Sequence, residues 1–141
     1  MSVTFQFELV TPERRVLSHD EVMVTVPGAE GYFGVLPGHA PFISLLAMGV
    51  LTVGEGKEAP RYAIAGGYAE VMPDHTTILA DQAVCWDAID PEAVEVDKKE
   101  AAERELAVRD DETASRYWKK RRAFATLCLE VHKQYLARAA S

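Results

Sequence analysis

The sequence predicts an all-β N-terminal sandwich followed by a C-terminal α-helical hairpin, in two small domains of residues 1–88 and 89–141. Short stretches in which apolar and polar residues alternate fill the first part, as in half-buried strands. Turn-forming residues separate these stretches, and the apolar period becomes that of helices near Ile89-Asp90-Pro91. Because no helical stretch lies between the strands, a parallel doubly wound sheet is not expected.

The strand pattern starts close to the N-terminus. Every second residue is apolar from Val3 to Leu9, and Val22, Val24 and Val26 share one face of the next predicted strand. Further strands are predicted over residues 49–53, 61–65, 68–72, 76–80 and 83–86. Many short strands at this spacing are typical of a sandwich or barrel.

Two helices are predicted after residue 89. Asp90 is a favourable N-cap and Pro91 suits the first helical position, so the first helix runs from Glu92 to about Arg109. Its apolar stripe is thin and consists of Val94, Ala101 and Val108, flanked by Ala102 and Leu106.

The second helix follows Asp110-Asp111-Glu112, which supplies a break and a cap. Its apolar residues step at helical spacing along one face: Tyr117, Phe124, Cys128, Val131 and Tyr135. The two helices are expected to pair in a hairpin whose thin seam makes it weakly held and a candidate moving part.

Charge is divided unevenly along the chain. The net charge of the 141 residues is −7. From residue 113 onwards there are seven basic residues and one acid, Glu130, so the basic tail and the acidic first part are expected to face different partners. The alternative is that the tail neutralises its own chain.

Nothing in the sequence indicates catalysis. It contains no phosphate-binding glycine loop, no paired histidines with metal-ligand spacing and no nucleic-acid-binding motif, so no cofactor, metal or nucleic acid is expected. Cys85 and Cys128 lie far apart and are expected to be reduced packing residues. Breakers such as Pro37-Gly38 in the longest uncharged stretch argue against insertion into a membrane.

The segment from Glu30 to Phe42, Glu-Gly-Tyr-Phe-Gly-Val-Leu-Pro-Gly-His-Ala-Pro-Phe, closely resembles the signature of epsilon subunits of bacterial F-type ATP synthases. Residues 7–12, 24–28, 64–71 and 77–81 are similar to that family's strands in order and spacing. The resemblance covers nearly the whole chain, by sequence through residue 88 and only by pattern after it.

This resemblance implies a non-catalytic rotor subunit of the central stalk, present once per complex at the cytoplasmic face of the inner membrane as a peripheral part. The sandwich is then expected to bind the gamma subunit and the loops of the c-subunit ring. It passes ion-driven rotation to the subunits that make ATP.

The resemblance also points to interface residues. Glu30, Tyr32, Phe33 and His39 are expected at the gamma and c-ring interface, with His39 toward gamma and Tyr32 where relatives often carry an acid. Pro37-Gly38 predicts a type II turn that stiffens this segment. The alternative is that Phe33 and Leu36 belong to the core and His39 only caps the turn.

Some members of the family bind ATP through a motif at the start of the first helix. Asp90 matches the aspartate of that motif, but Ala93 replaces its arginine, so tight ATP binding is not expected and Asp90 is interpreted as an N-cap. On the second helix, Lys119, Lys120 and Arg122 are candidates for contact with the beta subunit, with a solvated basic face as the alternative.

Three functions therefore remain open. The first is a rotor subunit whose C-terminal helices inhibit ATP hydrolysis, and the second is a coupling subunit whose helices never inhibit. The third is an unrelated β-sandwich adaptor that binds a partner protein.

Overall fold

The computed structural model describes residues 3–139. The chain divides into two compact units, Met1–Cys85 and Trp86–Ser141. The first contains all the strands and the second contains the helices, as the sequence predicted. That residues 1–88 form an independent domain stays a prediction.

Ten strands build the first unit: β1 Phe5–Val10, β2 Arg15–Glu21, β3 Val24–Gly28, β4 Gly31–Val35, β5 Phe42–Leu46, β6 Gly49–Val53, β7 Arg61–Ile64, β8 Gly67–Val71, β9 His75–Ala80 and β10 Ala83–Cys85. Nine follow one another by hydrogen bonding in the order β10-β7-β6-β3-β5-β8-β9-β1-β2, and β4 pairs with β3. The β1–β9 pair is parallel and the other pairs are antiparallel.

The core of the sandwich is filled by the inward-facing side chains of the strands, which alternate with outward-facing ones. Phe5, Phe7 and Leu9 of β1 are at most 2% exposed, so the predicted face of the first strand is confirmed. Full burial of a side chain of this size stabilises the fold by about 1.5–3 kcal/mol. The core cluster draws its members from β1 and β3 to β9 and contains no residue of the helices among those described.

The predicted burial of Val22 is wrong. It was expected on the face of Val24 and Val26, which are fully buried, but it is 43% exposed. Strand β2 ends at Glu21 and β3 begins at Val24, so Val22 lies in the connection between two strands and is not held by the pleat of either.

Three strands were missed by the sequence pattern, each for a different reason. Strand β2 is an edge strand with several charged residues, which protect a sheet edge but hide its apolar period. Strand β4 contains two glycines and resembles a turn segment. In β5, Phe-Ile-Ser-Leu-Leu, apolar side chains point outward as well as inward, so alternation is lost.

The second unit begins with a short 3₁₀ turn at Trp86–Ala88, followed by α1 at Pro91–Ala107 and α2 at Glu112–Arg138. Both N-caps are aspartates in extended conformation. The carboxylate of Asp111 accepts a hydrogen bond from the backbone N–H of Ala114 at 3.1 Å. A cap of this type satisfies one of the free N–H groups at a helix start.

The hairpin seam is as thin as predicted along the first helix: Ala101 is buried, and Val94 and the C-cap residue Val108 are half-buried. On α2 the predicted face needs a correction at its start, because Tyr117 is 53% exposed. The side chain of Trp118 is the more buried of the two.

Further along α2 the buried positions are Ala125, Cys128 and Val131. Burial raises the pKa of the Cys128 thiol to about 11, so the thiol stays protonated at neutral pH. Cys128 is therefore a packing residue, and Cys85 likewise packs against the core of the sandwich, partly buried.

Candidate functional site

The segment after β4 is shaped by a tight turn. The N–H of His39 donates to the carbonyl of Leu36 at 3.2 Å, with Pro37 and Gly38 as the central residues. Gly38 has a φ of 82°, which is the left-handed conformation that the third position of a type II turn requires. The predicted turn is confirmed, and the Gly38 N–H also donates to the carbonyl of Pro73 at 2.8 Å, which fixes the turn to the sandwich.

Aromatic side chains stack beside this turn. The rings of Phe33 and Phe42 meet edge to face with centroids 5.1 Å apart, and the His39 ring lies 5.1 Å from that of Phe42. Phe33 packs partly buried against the core, whereas Leu36 is 53% exposed and is not a core residue. The Nδ1 of His39 donates to the carbonyl of Ala40 at 2.8 Å. His39 and Phe33 are thus held in fixed positions.

Tyr32 is 60% exposed, yet its hydroxyl accepts a hydrogen bond from the backbone N–H of Val50 at 3.0 Å. The neighbouring residue on β6 must be small for this contact. A Cβ at Gly49 would lie 2.8 Å from the Tyr32 hydroxyl and 2.7 Å from the Cβ of Pro27. The hydrogen bond therefore ties the exposed aromatic side chain of Tyr32 to β6.

Glu30 lies at the tip of the two-residue connection between β3 and β4. The carboxylate is exposed. Its neighbour Ala29 donates its N–H to the carbonyl of Leu45 at 2.8 Å, and Gly31 takes a φ of 131° to close the turn. The tip thus offers a negative charge on a rigid support.

The sequence did not identify a row of exposed apolar side chains that crosses four neighbouring strands. Leu45 of β5 pairs with Tyr68 of β8, Tyr68 with Leu79 of β9, and Leu79 with Val10 of β1. These four residues are named the apolar row. Leu45, Tyr68 and Leu79 are 57%, 54% and 47% exposed, and Ile43, two positions before Leu45 on β5, is 72% exposed. The missing alternation in β5 was the signal that could have revealed it.

Acidic residues border the apolar row. In the next row across the same strands, Ile43 pairs with Glu70 and Thr77 with Glu8. Asp81 lies beside Leu79 at the rim of a shallow depression that Val10 and Tyr68 also line. An apolar centre rimmed by polar groups is the usual composition of a protein-binding surface.

Asp90 lies at the start of α1. Its Oδ1 accepts hydrogen bonds from the backbone N–H groups of Glu92 and Ala93 at 3.1 and 3.4 Å. The N-cap interpretation is therefore confirmed by geometry. The methyl group of Ala93 is exposed and offers no hydrogen bond to a phosphate.

The three candidate residues of α2 are named the basic run: Lys119, Lys120 and Arg122. The two lysines and the arginine differ in their contacts. Lys119 and Lys120 are exposed and form no ion pair within residues 3–139. The position of Arg122 on the helix, relative to the apolar face of α2, predicts that its side chain points away from the hairpin. This prediction is wrong, because the guanidinium is bound to Glu105 of α1 through two hydrogen bonds of 2.8 and 3.1 Å. The long arginine side chain reaches across the seam between the two helices.

Two other kinds of site are absent from the described part of the chain. No cluster of three or more His, Cys, Asp or Glu side chains between residues 3 and 139 could hold a metal ion. Neither of the described helices has the length and apolarity needed to cross a membrane.

Comparison with known proteins identifies the family. Residues 4–86 match the model of the ATP synthase Delta/Epsilon chain beta-sandwich domain. The chain belongs to the ATP synthase epsilon chain family. An epsilon chain of Magnetococcus marinus is 49% identical over 106 residues, which are 75% of this chain and 77% of the relative. One of Syntrophobacter fumaroxidans is 45% identical over 117 residues, 79% and 82% of the two chains. Epsilon chains are non-catalytic subunits of ATP synthase, so this chain is not itself an enzyme.

The fold of this epsilon chain also matches solved structures. A chain of the Euglena gracilis mitochondrial ATP synthase OSCP/F1/c-ring structure aligns with a TM-score of 0.66 and 26% identity, covering 99% of this chain and 83% of that one. A chain of the Tetrahymena thermophila mitochondrial ATP synthase central stalk/c-ring structure aligns with a TM-score of 0.55 and 16% identity over 91% and 96%. The second similarity concerns the fold alone.

Proposed function

We propose that this epsilon chain is a rotor subunit of the central stalk that couples ion-driven rotation of the c-ring to ATP synthesis. It works as one copy per complex, peripheral to the cytoplasmic face of the inner membrane, with its sandwich between the gamma subunit and the c-ring loops. The observation that carries the proposal is the apolar row on the outer face of β5, β8, β9 and β1. A subunit that transmits torque needs a large and well-packed contact, and this row supplies its apolar part.

The gamma subunit is the occupant proposed for the apolar row. Tyr68 is at the centre of the row, between Leu45 and Leu79 on the two neighbouring strands, as expected for an aromatic anchor of an interface. Pairing of these side chains across the strands stabilises the sheet by only about 0.2–1 kcal/mol per pair. A partner that covers them accounts for their exposure better than this small contribution does.

The segment from Glu30 to Phe42, which carries the family signature, is proposed as the second contact surface. His39, Phe33 and Tyr32 are held by hydrogen bonds or ring contacts before any partner binds. Preorganised side chains bind at a lower entropic cost than mobile ones. Glu30, on its rigid tip, supplies the negative charge for polar loops of the c-ring.

Binding to gamma can be tested by pull-down with tagged gamma subunit. Replacement of Leu45, Tyr68 and Leu79 by Ser should reduce capture at least tenfold, because interface anchors each contribute about 1–2 kcal/mol or more. Val22→Ser is the matched control, since Val22 is a similarly exposed apolar residue outside the row. Equal capture of the triple variant and the control would contradict the proposal and favour a binding site elsewhere, or the adaptor alternative.

Inhibition of ATP hydrolysis by the helices is proposed as a second duty. Lys119 and Lys120 are exposed on α2 and available to an acidic segment of the beta subunit. Single exposed ion pairs contribute only about 0–1 kcal/mol, so several must act together. The pure coupling role, in which the helices never inhibit, is the alternative.

A single assay distinguishes the inhibitory role of the helices from the pure coupling role. Hydrolysis by the reconstituted complex is measured with the full chain and with a chain that ends at residue 88. If the helices inhibit, the shortened chain should give faster hydrolysis, and Lys119→Ala with Lys120→Ala should give part of that increase at low salt. Unchanged hydrolysis in both cases would leave the pure coupling role.

Nucleotide is not proposed as a ligand. Asp90 caps the helix with its carboxylate and Ala93 presents a methyl group where a phosphate would need a cation. We expect calorimetry with Mg-ATP to give no dissociation constant below about 1 mM, which corresponds to about −4 kcal/mol. A micromolar site would show that other basic residues replace the missing arginine.

A further inference from the structure

The two helices of the hairpin carry opposite charge. Helix α1 has six acidic and three basic residues, and α2 has seven basic and two acidic residues. Their apolar seam is small, since Ala101 is the only buried residue of α1 and three residues of α2 are buried. Electrostatic attraction between the helices therefore provides a larger share of the free energy of their association than it would in a hairpin with a continuous leucine seam.

One ion pair concentrates this attraction. The guanidinium of Arg122 donates from Nε to one carboxylate oxygen of Glu105 at 2.8 Å and from Nη2 to the other at 3.1 Å. This fork geometry is the strongest form of an Arg–carboxylate contact. The Glu105 side chain is 23% exposed and that of Arg122 is 40% exposed, so solvent screens the pair only in part.

Aromatic and cationic groups continue the contact along the hairpin. The guanidinium of Arg104 on α1 lies 5.4 Å from the ring centre of Trp118 on α2, and that of Arg121 lies 5.5 Å from the same ring. Cation–π contacts at this distance are attractive. The pKa of Arg121 is raised mainly by its hydrogen bond to Tyr117, with smaller contributions from Asp97 and Glu100 of α1.

We propose that the Glu105–Arg122 ion pair is a salt-sensitive latch of the hairpin. It holds α1 against α2 and, by occupying the guanidinium, withholds Arg122 from any external carboxylate. Glu105 thus competes within the chain for the cation that an acidic partner would bind. The first half of the proposal concerns the hairpin alone, and the second half rests on the proposed contact of the basic run with an acidic segment.

The first half is tested on the full chain by hydrogen–deuterium exchange. At low ionic strength, Glu105→Gln should accelerate exchange of the α1 amides about three- to fivefold, and this difference should shrink in about 0.5 M salt, where screening acts within a few ångströms. Glu103→Gln removes the same charge from an exposed position of the same helix and should change exchange little. Equal exchange in the two variants would overturn the latch.

A reversed pair separates the latch from a general loss of folding. The double variant Glu105→Arg with Arg122→Glu keeps an opposite-charge pair across the seam and should restore most of the protection that either single change removes. Exchange of the β-strand amides should be the same in all variants. If the double variant is as unprotected as the single ones, the pair does not act as a latch.

The second half is tested by ATP hydrolysis of the reconstituted complex. Releasing Arg122 by Glu105→Gln should lower hydrolysis at least twofold at low salt, and Glu105→Gln together with Arg122→Ala should not. If hairpin exchange responds to Glu105→Gln but hydrolysis does not, the latch stands and the competition with an external carboxylate is refuted. If removal of residues 89–141 also leaves hydrolysis unchanged, it is the inhibitory role itself that fails.

Discussion

At the scale of single residues, the β8–β9 pair depends on the absence of a side chain at Gly67. This residue has a φ of 122°, and a Cβ there would overlap the carbonyl oxygen of Leu79. Because that atom belongs to the backbone of the neighbouring strand, it cannot move aside without breaking the pairing.

Gly67→Ala should therefore lower the free energy of unfolding by about 3 kcal/mol or more, measured by urea denaturation. Gly56 also has a positive φ, of 84°, but its Cβ would meet no atom within 4 Å. Gly56→Ala should lower the free energy of unfolding by only about 1 kcal/mol, which is the conformational strain of a positive φ. Similar losses for the two variants would show that the steric clash is relieved in solution.

Thr76 poses the opposite case, a polar atom in a core. The residue is fully buried in β9, and its hydroxyl has no hydrogen-bond partner among the residues described. Thr76→Val keeps the shape of the side chain and removes the unsatisfied group, so it should raise the free energy of unfolding by about 1 kcal/mol. Thr77→Val on the half-buried neighbouring position is the control and should change stability by less than half of that amount.

At the scale of elements, the start of α1 depends on Asp90. Its carboxylate is the acceptor for two N–H groups that have no partner within the helix. Asp90→Ala should destabilise the hairpin by about 1 kcal/mol, seen as lost helical circular dichroism on heating, and Asp90→Ser should recover most of the loss because serine also caps. Equal loss for Ala and Ser would mean that the charge, not the cap, is the stabilising feature.

At the scale of the whole molecule, the two units are stabilised by different means. The sandwich has a core built from its own strands, whereas the hairpin combines a thin seam with an ion pair and cation–π contacts. We expect a chain that ends at residue 88 to unfold cooperatively in urea and to bind gamma as the full chain does. An insoluble fragment, or one that no longer binds gamma, would show that the helices are needed for the function of the sandwich.

Local patterns in the sequence were sufficient to predict strands followed by two helices, although they missed β2, β4 and β5. Alternation identified β1 and the buried valines of β3, and Asp90-Pro91 located the start of α1. Each of these signals lies within a few residues of the chain and reports burial or backbone geometry directly. The signature from Glu30 to Phe42 likewise indicated the family before any contact was known.

The pairing of strands and of helices decided which distant side chains lie next to each other. Leu45, Tyr68 and Leu79 are far apart in the chain and form a surface only because β5, β8 and β9 pair in that register. Glu105 and Arg122 meet only because the hairpin brings α1 and α2 side by side. The sequence by itself determined the change from strands to helices, the buried face of β1 and the start of α1, because these properties are local. Which exposed side chains act together was decided by the tertiary structure, because such neighbours depend on the register and packing of elements distant in sequence.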